Sequence, residues 1–509
     1  MDTASLHELP KLYRSGAVRA AEQVAMTRFG LDEDDLMARA GLAAWRLLLD
    51  RWPRAQRIGI ACGPGNNGGD GYVLAELARS SGRHVFVLRL NDDVKPGASA
   101  RAADAYVQAG GEVATFIADD ALPQADIWVD ALFGIGLHRA LEGAAADLVS
   151  ALNHDPATQV LALDVPSGVD ADTGCHDGPA VRATVTLTFI AGKPGLYTGR
   201  GREATGEVVI DTLGLADHVF DDLEPAARIA CADALPLWLK PRARNAHKGH
   251  FGTVLCIGGD HGFGGAIALC AEAAHRAGAG MVSAATRVEH VAVLLTRCPE
   301  TMARAVDSAA ELRPLLDKAS VIVVGPGLGC GEWGEAMLAA ALAEGLPTVI
   351  DADGLNLLAT SSKKAELSKT LGITVITPHP GEAARLLGMS VAEIERDRIG
   401  FAQRLAAQCG GVVVWKGAGS IVAMAGETPV IIDAGNPGMA TGGMGDVLTG
   451  VIGAILAQRG QPHFEAAVCG ALLHAAAGDA AARDGGERGL LPSDLFPHLR
   501  RLANQASHA

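Results

Sequence analysis

The sequence predicts an α/β fold built from two parallel-sheet domains in a chain of 509 residues. Short apolar runs that suit strands alternate with helical patterns, which indicates parallel sheets covered by helices on both faces. The runs are almost uniformly apolar, as expected of strands buried on both faces. Glycine-rich segments follow several runs, at the edge where such sheets bind ligands. We therefore expect an N-terminal Rossmann-like, doubly wound sheet, followed by a second α/β domain.

The elements of the first half alternate regularly up to residue 189. Strands are predicted at residues 57–61, 84–88, 127–129, 160–163 and 184–189. Helical patterns lie between them, among others at residues 72–79 and 98–109. A polar, proline-containing stretch at residues 213–250 then interrupts the alternation, and this composition is typical of a linker.

The alternation resumes in the second half of the chain. Strands are predicted at residues 253–257, 281–284, 320–324, 348–350, 374–376, 412–415 and 430–432. Long helices are predicted at residues 445–458 and 464–482. We therefore predict one domain at residues 1–220 and a second at residues 228–505.

Composition and charge exclude several classes of function. Aromatic residues make up 4% of the chain and the formal net charge is −15, so we expect no binding to nucleic acid or to anionic membranes. No apolar run reaches the ~18 residues of a membrane span, and the first residues lack a signal-peptide core. The nine cysteines show no paired spacing, which favours a reducing compartment. The cytoplasm is therefore the expected location.

A glycine-rich loop, Gly-Pro-Gly-Asn-Asn-Gly-Gly-Asp-Gly, follows the first strand at residues 63–71. It matches the GxGxxG pattern of dinucleotide-binding folds, and Asp92 after the next strand would be the ribose-binding acid of a dehydrogenase. Asp70 argues against that interpretation, because a carboxylate at the helix start repels a pyrophosphate. The asparagine and aspartate oxygens instead suit a cation or sugar hydroxyls. A tight loop without a ligand is the alternative.

Two further acids, Asp130 and Asp164, follow strands of the first half. In a doubly wound sheet the carboxyl ends of the strands converge on one crevice, so we expect both acids near Asp70. Each acid alone is as compatible with a helix cap as with a site. Three acids beside glycine-rich loops favour a shared site.

The strongest motif of the second half, Gly442-Gly443-Met444-Gly445-Asp446, opens a predicted long helix. Inward-turned backbone N–H groups and the helix dipole would form an anion hole for a phosphoryl group. Asp446, just inside the helix, is placed to accept a proton from an attacking hydroxyl. The segment is not a Walker A loop, because Gly-Lys-Ser/Thr does not follow. A capping acid is the alternative role of Asp446.

Three first-half motifs together resemble NAD(P)H-hydrate epimerase over about residues 10–215: the glycine-rich loop, Asp-Ala-Leu-Phe-Gly-x-Gly from residue 130 and Leu-Asp-Val-Pro-Ser-Gly-Val-Asp from residue 163. The resemblance implies potassium ligands at Asn67, Asp130 and Ser167. Asp164 is the candidate acid/base that protonates a departing hydroxyl and deprotonates the returning water. Lys193 is either a phosphate contact or a solvated surface lysine. Contacts to the hydrated nucleotide are implied at Asn66, Asn67, Gly68, Gly69, Asp70, Gly134, Ile135, Gly136, Leu137, His138, Arg139, Ala140 and Asp164.

The second half resembles the ribokinase-like superfamily, whose signature is Gly-Ala-Gly-Asp, with Met444 and Leu448 as departures from the sugar-kinase pattern. With these departures it is similar to ADP-dependent NAD(P)H-hydrate dehydratase over about residues 228–503. Supporting segments include Gly-Pro-Gly-Leu-Gly at 325–329 and Thr-Pro-His-Pro-Gly-Glu at 377–382. The resemblance implies substrate contacts at Ala266, Gly327, His379 and Asp446. It implies nucleotide contacts at Lys416, Gly417, Ala418, Gly419, Ser420 and Gly445.

The two resemblances together imply a bifunctional enzyme that repairs hydrated NADH and NADPH. The first half would interconvert the R and S epimers with K⁺, and the second would dehydrate the S form with ADP and Mg²⁺, releasing AMP and phosphate. Phosphorylation would turn the ring hydroxyl into a good leaving group. A homo-oligomer is expected. The alternatives are a ribokinase-like small-molecule kinase with an accessory nucleotide-binding domain, and a first half that binds without catalysis.

Overall fold

The computed structural model describes residues 4–91, 96–118, 120–360, 374–458 and 462–504. The chain divides into two compact units: Lys11–Ala227 form the N-terminal unit, and Met1–Pro10 with Arg228–Ala509 form the C-terminal unit. The sequence places the first ten residues in the first domain, but the structure packs them with the second. Leu6 and Leu9 are buried in the core of the C-terminal unit. Arg228 Nη1 donates a hydrogen bond to the Leu9 carbonyl at 2.9 Å.

The N-terminal unit contains a seven-stranded sheet in the order β4-β3-β2-β5-β6-β7-β8, and every pair of neighbours is parallel. The strands of this sheet are β2 (Arg57–Cys62), β3 (His84–Arg89), β4 (Val113–Thr115), β5 (Ile127–Ala131), β6 (Val160–Leu163), β7 (Val185–Phe189) and β8 (Glu207–Asp211). The unit also contains the short strand β1 (Lys11–Leu12), which is not part of this sheet. Its helices are Ser15–Phe29, Glu33–Arg51, Asn66–Ser80, Ala98–Gln108, Gly143–Leu152 and Gly199–Thr205, with 3₁₀ turns at Pro194–Leu196 and Asp217–Phe220.

This sheet reverses its strand order between β2 and β5, so a crevice opens outside the carboxyl ends of those two strands. The predicted doubly wound sheet and its five predicted strands are confirmed. Two strands that the sequence does not reveal, β4 and β8, lie at the sheet edges and carry partly exposed side chains. Asp92, the ribose-binding acid of the dehydrogenase alternative, lies outside the described residues.

The C-terminal unit contains strands in the order β9-β18-β17-β16-β15-β14-β13-β10-β11-β12. They are β9 (Ala227–Ala230), β10 (Thr253–Ile257), β11 (Met281–Thr286), β12 (Met302–Ala305), β13 (Val321–Val324), β14 (Thr348–Ile350), β15 (Thr374–Ile376), β16 (Val412–Trp415), β17 (Ser420–Ala423) and β18 (Val430–Ile432). The seven predicted strands of this half are confirmed. Strand β9 lies within the stretch predicted as a linker, so that stretch is in part a sheet strand.

Strand β17 pairs antiparallel with β16 and with β18, while the other neighbouring pairs of this sheet are parallel. The connection between β16 and β17 is too short for a crossover, because a parallel return needs a dozen or more residues. Residues 416–419, predicted to contact a nucleotide, therefore form the tip of a hairpin. Ser420, predicted as part of the same loop, is the first residue of β17.

The helices of the C-terminal unit include the two long ones predicted at its end. They are Ala4–His7, Leu235–Trp238, Gly264–Arg276, Val288–Arg297, Ala309–Leu316, Glu332–Ala343, Ala352–Thr360, Pro380–Leu387, Val391–Ile394, Arg398–Cys409, Met444–Ala457, His463–Gly485 and Leu495–Leu502. The helices Met444–Ala457 and His463–Gly485 are buried over most of their length. None of the described helices is long and apolar enough to cross a membrane.

Candidate active sites

The glycine-rich loop of the N-terminal unit connects β2 to the helix Asn66–Ser80. A Cβ atom at Gly63 would collide with the Leu132 carbonyl, and one at Gly68 would collide with the Gly63 carbonyl. These glycines are therefore needed for close backbone packing of the loop. The GxGxxG match has this structural explanation and gives no support to a dehydrogenase.

Asp130, at the end of β5, is completely buried and is bound by Ser167. The Ser167 hydroxyl donates to Asp130 Oδ1 and the Ser167 N–H donates to Asp130 Oδ2, both at 2.7 Å. Burial raises the pKa of Asp130 to about 6, although the two bonds from Ser167 partly oppose this shift. A buried carboxylate with such a pKa is stabilised by a nearby cation.

Asp164 follows β6 and has a φ of 64°, a left-handed conformation that is strained for a residue with a Cβ. Its Oδ1 lies 2.6 Å from Lys193 Nζ, and its Oδ2 accepts a hydrogen bond from the Ile135 N–H at 3.0 Å. Lys193 Nζ also donates to Thr188 Oγ1 and to the Phe189 carbonyl, each at 2.7 Å.

Both predicted roles of Lys193 are therefore wrong. Its side chain is completely buried, and its three ammonium hydrogens are used by Asp164, Thr188 and Phe189, so it is neither a surface residue nor a phosphate contact. Sequence alone favours an exposed lysine because an unpaired buried ammonium is costly. Only the folded chain shows the acceptors that make this burial tolerable.

A pocket of about 540 Å³ lies at the crevice of the N-terminal sheet and contains most of the predicted residues. Predicted residues that line it are Asn66, Asn67, Asp70, Gly134, Ile135, Gly136, Leu137 and Asp164. Predicted residues that do not line it are Gly68, Gly69, Asp130, His138, Arg139, Ala140 and Ser167. Gly69 packs against Met37, and His138 Nδ1 lies 3.3 Å from Asp170 Oδ2 near the surface.

One feature of the pocket points to a ligand. Neither the amide nitrogen nor the amide oxygen of the buried Asn67 has a hydrogen-bond partner among the described residues. Buried polar atoms are rarely left in this condition unless a ligand or water meets them. The helix Ser15–Phe29 also contributes Arg19 and Glu22 to the pocket wall, and the sequence gives no motif that would have revealed them.

The C-terminal site begins at the glycine-rich start of the helix Met444–Ala457. Gly443 precedes the helix with a φ of 94°, which favours glycine, and Asp446 lies in the first turn. Burial and, to a smaller extent, the Asp351 carboxylate raise the pKa of Asp446 to about 7. A carboxyl with this pKa is suited to accept a proton near neutral pH.

Lys416 is the centre of a buried charge cluster beside this helix. Its Nζ lies 2.7 Å from Asp351 Oδ1 and 3.7 Å from Glu382 Oε2. The Thr449 hydroxyl donates to Asp351 Oδ2 at 2.9 Å. A Cβ at Gly445 would lie 3.2 Å from Asp351 Oδ2 and 3.3 Å from Lys416 Nζ, so the glycine lets the helix start approach the ion pair.

The charge cluster controls the titration of its members. Burial alone would lower the pKa of Lys416, but the carboxylates of Asp351 and Glu382 hold it above its ordinary value. Burial would raise the pKa of Asp351, yet Lys416 holds it below its ordinary value. Burial raises the pKa of Glu382 to about 7 despite Lys416. No motif in the sequence identifies Asp351 or Glu382 as site residues, and the only sequence signal is the position of Asp351 directly after β14.

The remaining predicted residues lie at two places in the C-terminal unit. A Cβ at Gly327 would come within 3.2 Å of the Ala266 side chain, so these two predicted substrate contacts adjoin each other. His379 caps the helix Pro380–Leu387, where its Nδ1 accepts the Gly381 N–H at 2.9 Å. Burial lowers the pKa of His379, as do Lys416 and Arg385.

The hairpin tip at 416–419 needs its glycines. Gly417 and Gly419 have φ values of 139° and 61°, and the Ser420 hydroxyl donates to the Gly417 carbonyl at 3.1 Å. The buried Arg398 lies behind this tip, and its Nη2 donates to the Lys416 carbonyl at 3.3 Å. Within the described part of the chain, no cluster of three or more histidine, cysteine or carboxylate side chains has the arrangement of a metal site.

Two family models match the chain. The model described as NAD(P)H-hydrate dehydratase matches residues 254–501, and the model described as YjeF-related protein N-terminus matches residues 33–195. Among solved structures, a ribokinase-like superfamily protein from Enterococcus faecalis is 30% identical, with a TM-score of 0.50, covering 55% of this chain and 96% of that one. A protein of unassigned function from Streptococcus mutans is 28% identical, with a TM-score of 0.51, covering 55% of this chain and 100% of that one.

Curated relatives match over nearly the whole length. The bifunctional NAD(P)H-hydrate repair enzyme Nnr of Coxiella burnetii is 45% identical over 97% of this chain and 99% of its own. The enzyme of the same name from Escherichia coli is 46% identical over 96% of this chain and 93% of its own. That of Vibrio cholerae is 40% identical over 97% and 98%. The chain is an enzyme that belongs to the family of bifunctional NAD(P)H-hydrate repair enzymes.

Proposed function

We propose that the N-terminal unit interconverts the R and S epimers of hydrated NADH and NADPH, and that the C-terminal unit dehydrates the S epimer with ADP, releasing AMP and phosphate. The observation that supports the proposal is that one chain contains two sites, one suited to epimerisation and one suited to phosphoryl transfer. One is a pocket with Asp164 and with Asn67, whose side-chain amide has no partner among the described residues. The other is a helix start with Asp446 beside the Lys416 cluster. The full-length match to repair enzymes favours this function over a kinase with an accessory domain.

In the N-terminal site the hydrated nicotinamide ring would occupy the pocket beside Asp164. The carboxyl group of Asp164 is fixed by Lys193 and by the Ile135 N–H, so its orientation toward the pocket is set before substrate arrives. Loss of the ring hydroxyl as water and return of water to the other face would invert the carbon. The backbone from Gly134 to Leu137 would border the bound nucleotide.

Potassium is the cation that we assign to this unit, with Asn67, Asp130 and Ser167 as its ligands. The residues fit the ion, because all three offer oxygen atoms and the Asn67 amide oxygen is buried without a partner in the described chain. Asp130 also supplies a buried negative charge that a cation would stabilise. Bound K⁺ would supply positive charge to this edge of the pocket.

In the C-terminal site Asp446 would accept the proton of the substrate's ring hydroxyl as that oxygen attacks the terminal phosphoryl group of ADP. The new O–P bond forms as the bond to AMP breaks. The ester then loses inorganic phosphate from one ring carbon and a proton from the neighbouring carbon, which forms the ring double bond of NADH or NADPH. Backbone N–H groups at the start of the helix Met444–Ala457 would stabilise the transferring group. We assign substrate contacts to Ala266, Gly327, His379 and Asp446.

ADP is assigned to the hairpin tip Lys416, Gly417, Ala418, Gly419 and Ser420, and to Gly445. The buried charge on Lys416, held by Asp351 and Glu382, would lie close to the phosphates. Mg²⁺ would arrive with ADP and neutralise phosphate charge, since water and phosphate oxygens are its usual ligands in nucleotide sites. We further propose a cytoplasmic homo-oligomer that does not bind nucleic acid or membranes.

The test uses the full chain with both purified hydrate epimers, K⁺, Mg²⁺ and either ADP or ATP. NADH absorbance and the two epimers are followed in time. We expect both epimers to disappear and NADH to form with ADP. Phosphorylated product without NADH would show a kinase instead, and no NADH with either nucleotide would refute the dehydratase. Asp164→Asn should leave the R epimer unconsumed while the S epimer still yields NADH.

A further inference from the structure

The pocket of the N-terminal unit contains a second carboxyl group that the proposed chemistry has not used. Asp70 lies near the start of the helix Asn66–Ser80, is only 8% exposed and lines the same pocket as Asp164. No described residue donates a hydrogen bond to its carboxyl group or forms an ion pair with it. A buried carboxyl without a partner is stable only in its neutral form, or when a ligand meets it.

Asp164 has a cation beside its carboxyl group, whereas the charged neighbours of Asp70 are other acids. The Asp164 carboxyl is paired with the ammonium group of Lys193 at 2.6 Å. Asp70 faces other acids without a compensating cation of its own. Burial raises the pKa of Asp70 well above its ordinary range, and Asp164 and Glu22 raise it further. Two carboxyls of one site that differ in this way typically take the roles of acid and base.

The other groups of the pocket wall fit a positively charged reaction intermediate. Burial raises the pKa of Glu22, and Asp164 raises it further, while Lys193 and Arg19 lower it. The titratable and charged groups that face Asp70 or line its pocket are Arg19, Glu22, Glu33, Cys62, Asp164 and Lys193. Acids outnumber cations in this set, as suits a ring that becomes cationic when hydroxide leaves it.

We propose that Asp70 is a second catalytic residue of the epimerase, acting as the acid when Asp164 acts as the base. This assignment rests on the proposed epimerase function. Protonated Asp70 gives its proton to the departing hydroxyl, and the carbon–oxygen bond breaks with its electrons on oxygen, so that water and a planar ring cation form. Water then adds to the other face, and Asp164 accepts the proton that it loses. The opposite epimer uses the two carboxyls in reversed roles. In repeated turnover of one epimer, Asp164 releases its proton to water and Asp70 takes one from water, which restores the starting state.

The first test compares epimerisation by wild type, Asp70→Asn, Asp164→Asn and Asp104→Asn in the full chain. Asp104 is an exposed residue of the helix Ala98–Gln108 and is the matched control. If wild type does not accelerate epimerisation, the proposed function itself fails. If wild type and the control are active, we expect Asp70→Asn to lower kcat by about 10²–10⁴-fold with little change in KM. A kcat within about threefold of wild type, or a change confined to KM, would overturn the role of Asp70.

The second test remains decisive even if Asp70→Asn does not fold. Glu22→Gln removes a negative charge that raises the pKa of Asp70. If protonated Asp70 is required, activity falls as pH rises through its pKa, so this limb should move to lower pH in the variant. An unmoved limb in folded, active Glu22→Gln would show that Asp70 is not the acid. Asp104→Asn should leave the limb in place.

Discussion

Lys416→Met should strongly destabilise the C-terminal unit, because it removes the one ion-pair partner that the Asp351 carboxylate has among the described residues. The Asp351 side chain is 2% exposed and that of Lys416 is 19% exposed, and their charged atoms lie 2.7 Å apart. Methionine keeps much of the lysine volume but leaves Asp351 with the Thr449 hydroxyl as a side-chain donor. Removing one partner of a buried pair costs about 3–5 kcal/mol.

Calorimetry of the full chain measures this effect. In a domain of this size each kcal/mol lowers Tm by about 2–4 °C, so about 4 kcal/mol corresponds to a decrease of roughly 12 °C in the transition of the C-terminal unit. The double variant Lys416→Met with Asp351→Asn removes both charges and should recover most of that decrease. A Tm within about 2 °C of wild type for the single variant, or no recovery in the double variant, would refute the claim that the pair is buried and coupled.

Three further predictions concern the two activities. Dehydratase turnover should rise with pH through about 7, because Asp446 must lose its proton to act as a base and its pKa is raised to about 7. A pH–rate profile of NADH formation checks this, and a rate that falls over that range would contradict it. Asp446→Asn should lower the rate of dehydration by about 10²–10⁴-fold while the two epimers still interconvert. Chromatography of the epimers measures that interconversion, and loss of both activities would indicate misfolding rather than loss of a base. Replacing K⁺ by a bulky organic cation should slow epimerisation and leave the rate of NADH formation from pure S epimer unchanged. Equal losses in the two assays would exclude a potassium site confined to the N-terminal unit.

Buried parallel strands could be predicted from the sequence because both of their faces are apolar. The runs at β6 and β13 are apolar throughout, and those at β2, β5 and β10 are apolar over most of their length. Strand β8 is not predicted because it is an edge strand with partly exposed side chains, and its short apolar run is flanked by Glu207 and Asp211. Strand β17 is not predicted from the sequence because the glycines of the preceding hairpin tip resemble those of a phosphate-binding loop.

The candidate sites were predictable where a glycine-rich segment marks a sheet edge, as at Asp70, Asp164 and Asp446. Residues that act through long-range partners were not predictable. Lys193 reaches Asp164 across 29 positions, and Lys416 reaches Asp351 across 65. A single lysine or aspartate in a sequence carries no sign of such a partner. Glu22 belongs to a helix without any motif, so only the folded pocket reveals it.

Residues Met1–Pro10 belong to the same compact unit as the chain from Arg228 onward. The N-terminal unit, Lys11–Ala227, is therefore inserted in sequence between two segments of the C-terminal unit. A recombinant dehydratase that starts at Arg228 would lack Leu6 and Leu9 and would lose the Leu9 acceptor of the Arg228 guanidinium. During synthesis the inserted unit is complete while its host still lacks most of its strands, so folding is expected to begin with the epimerase. The C-terminal unit is therefore discontinuous in sequence, whereas the N-terminal unit is one continuous segment, and the residues that precede that segment belong to the dehydratase unit.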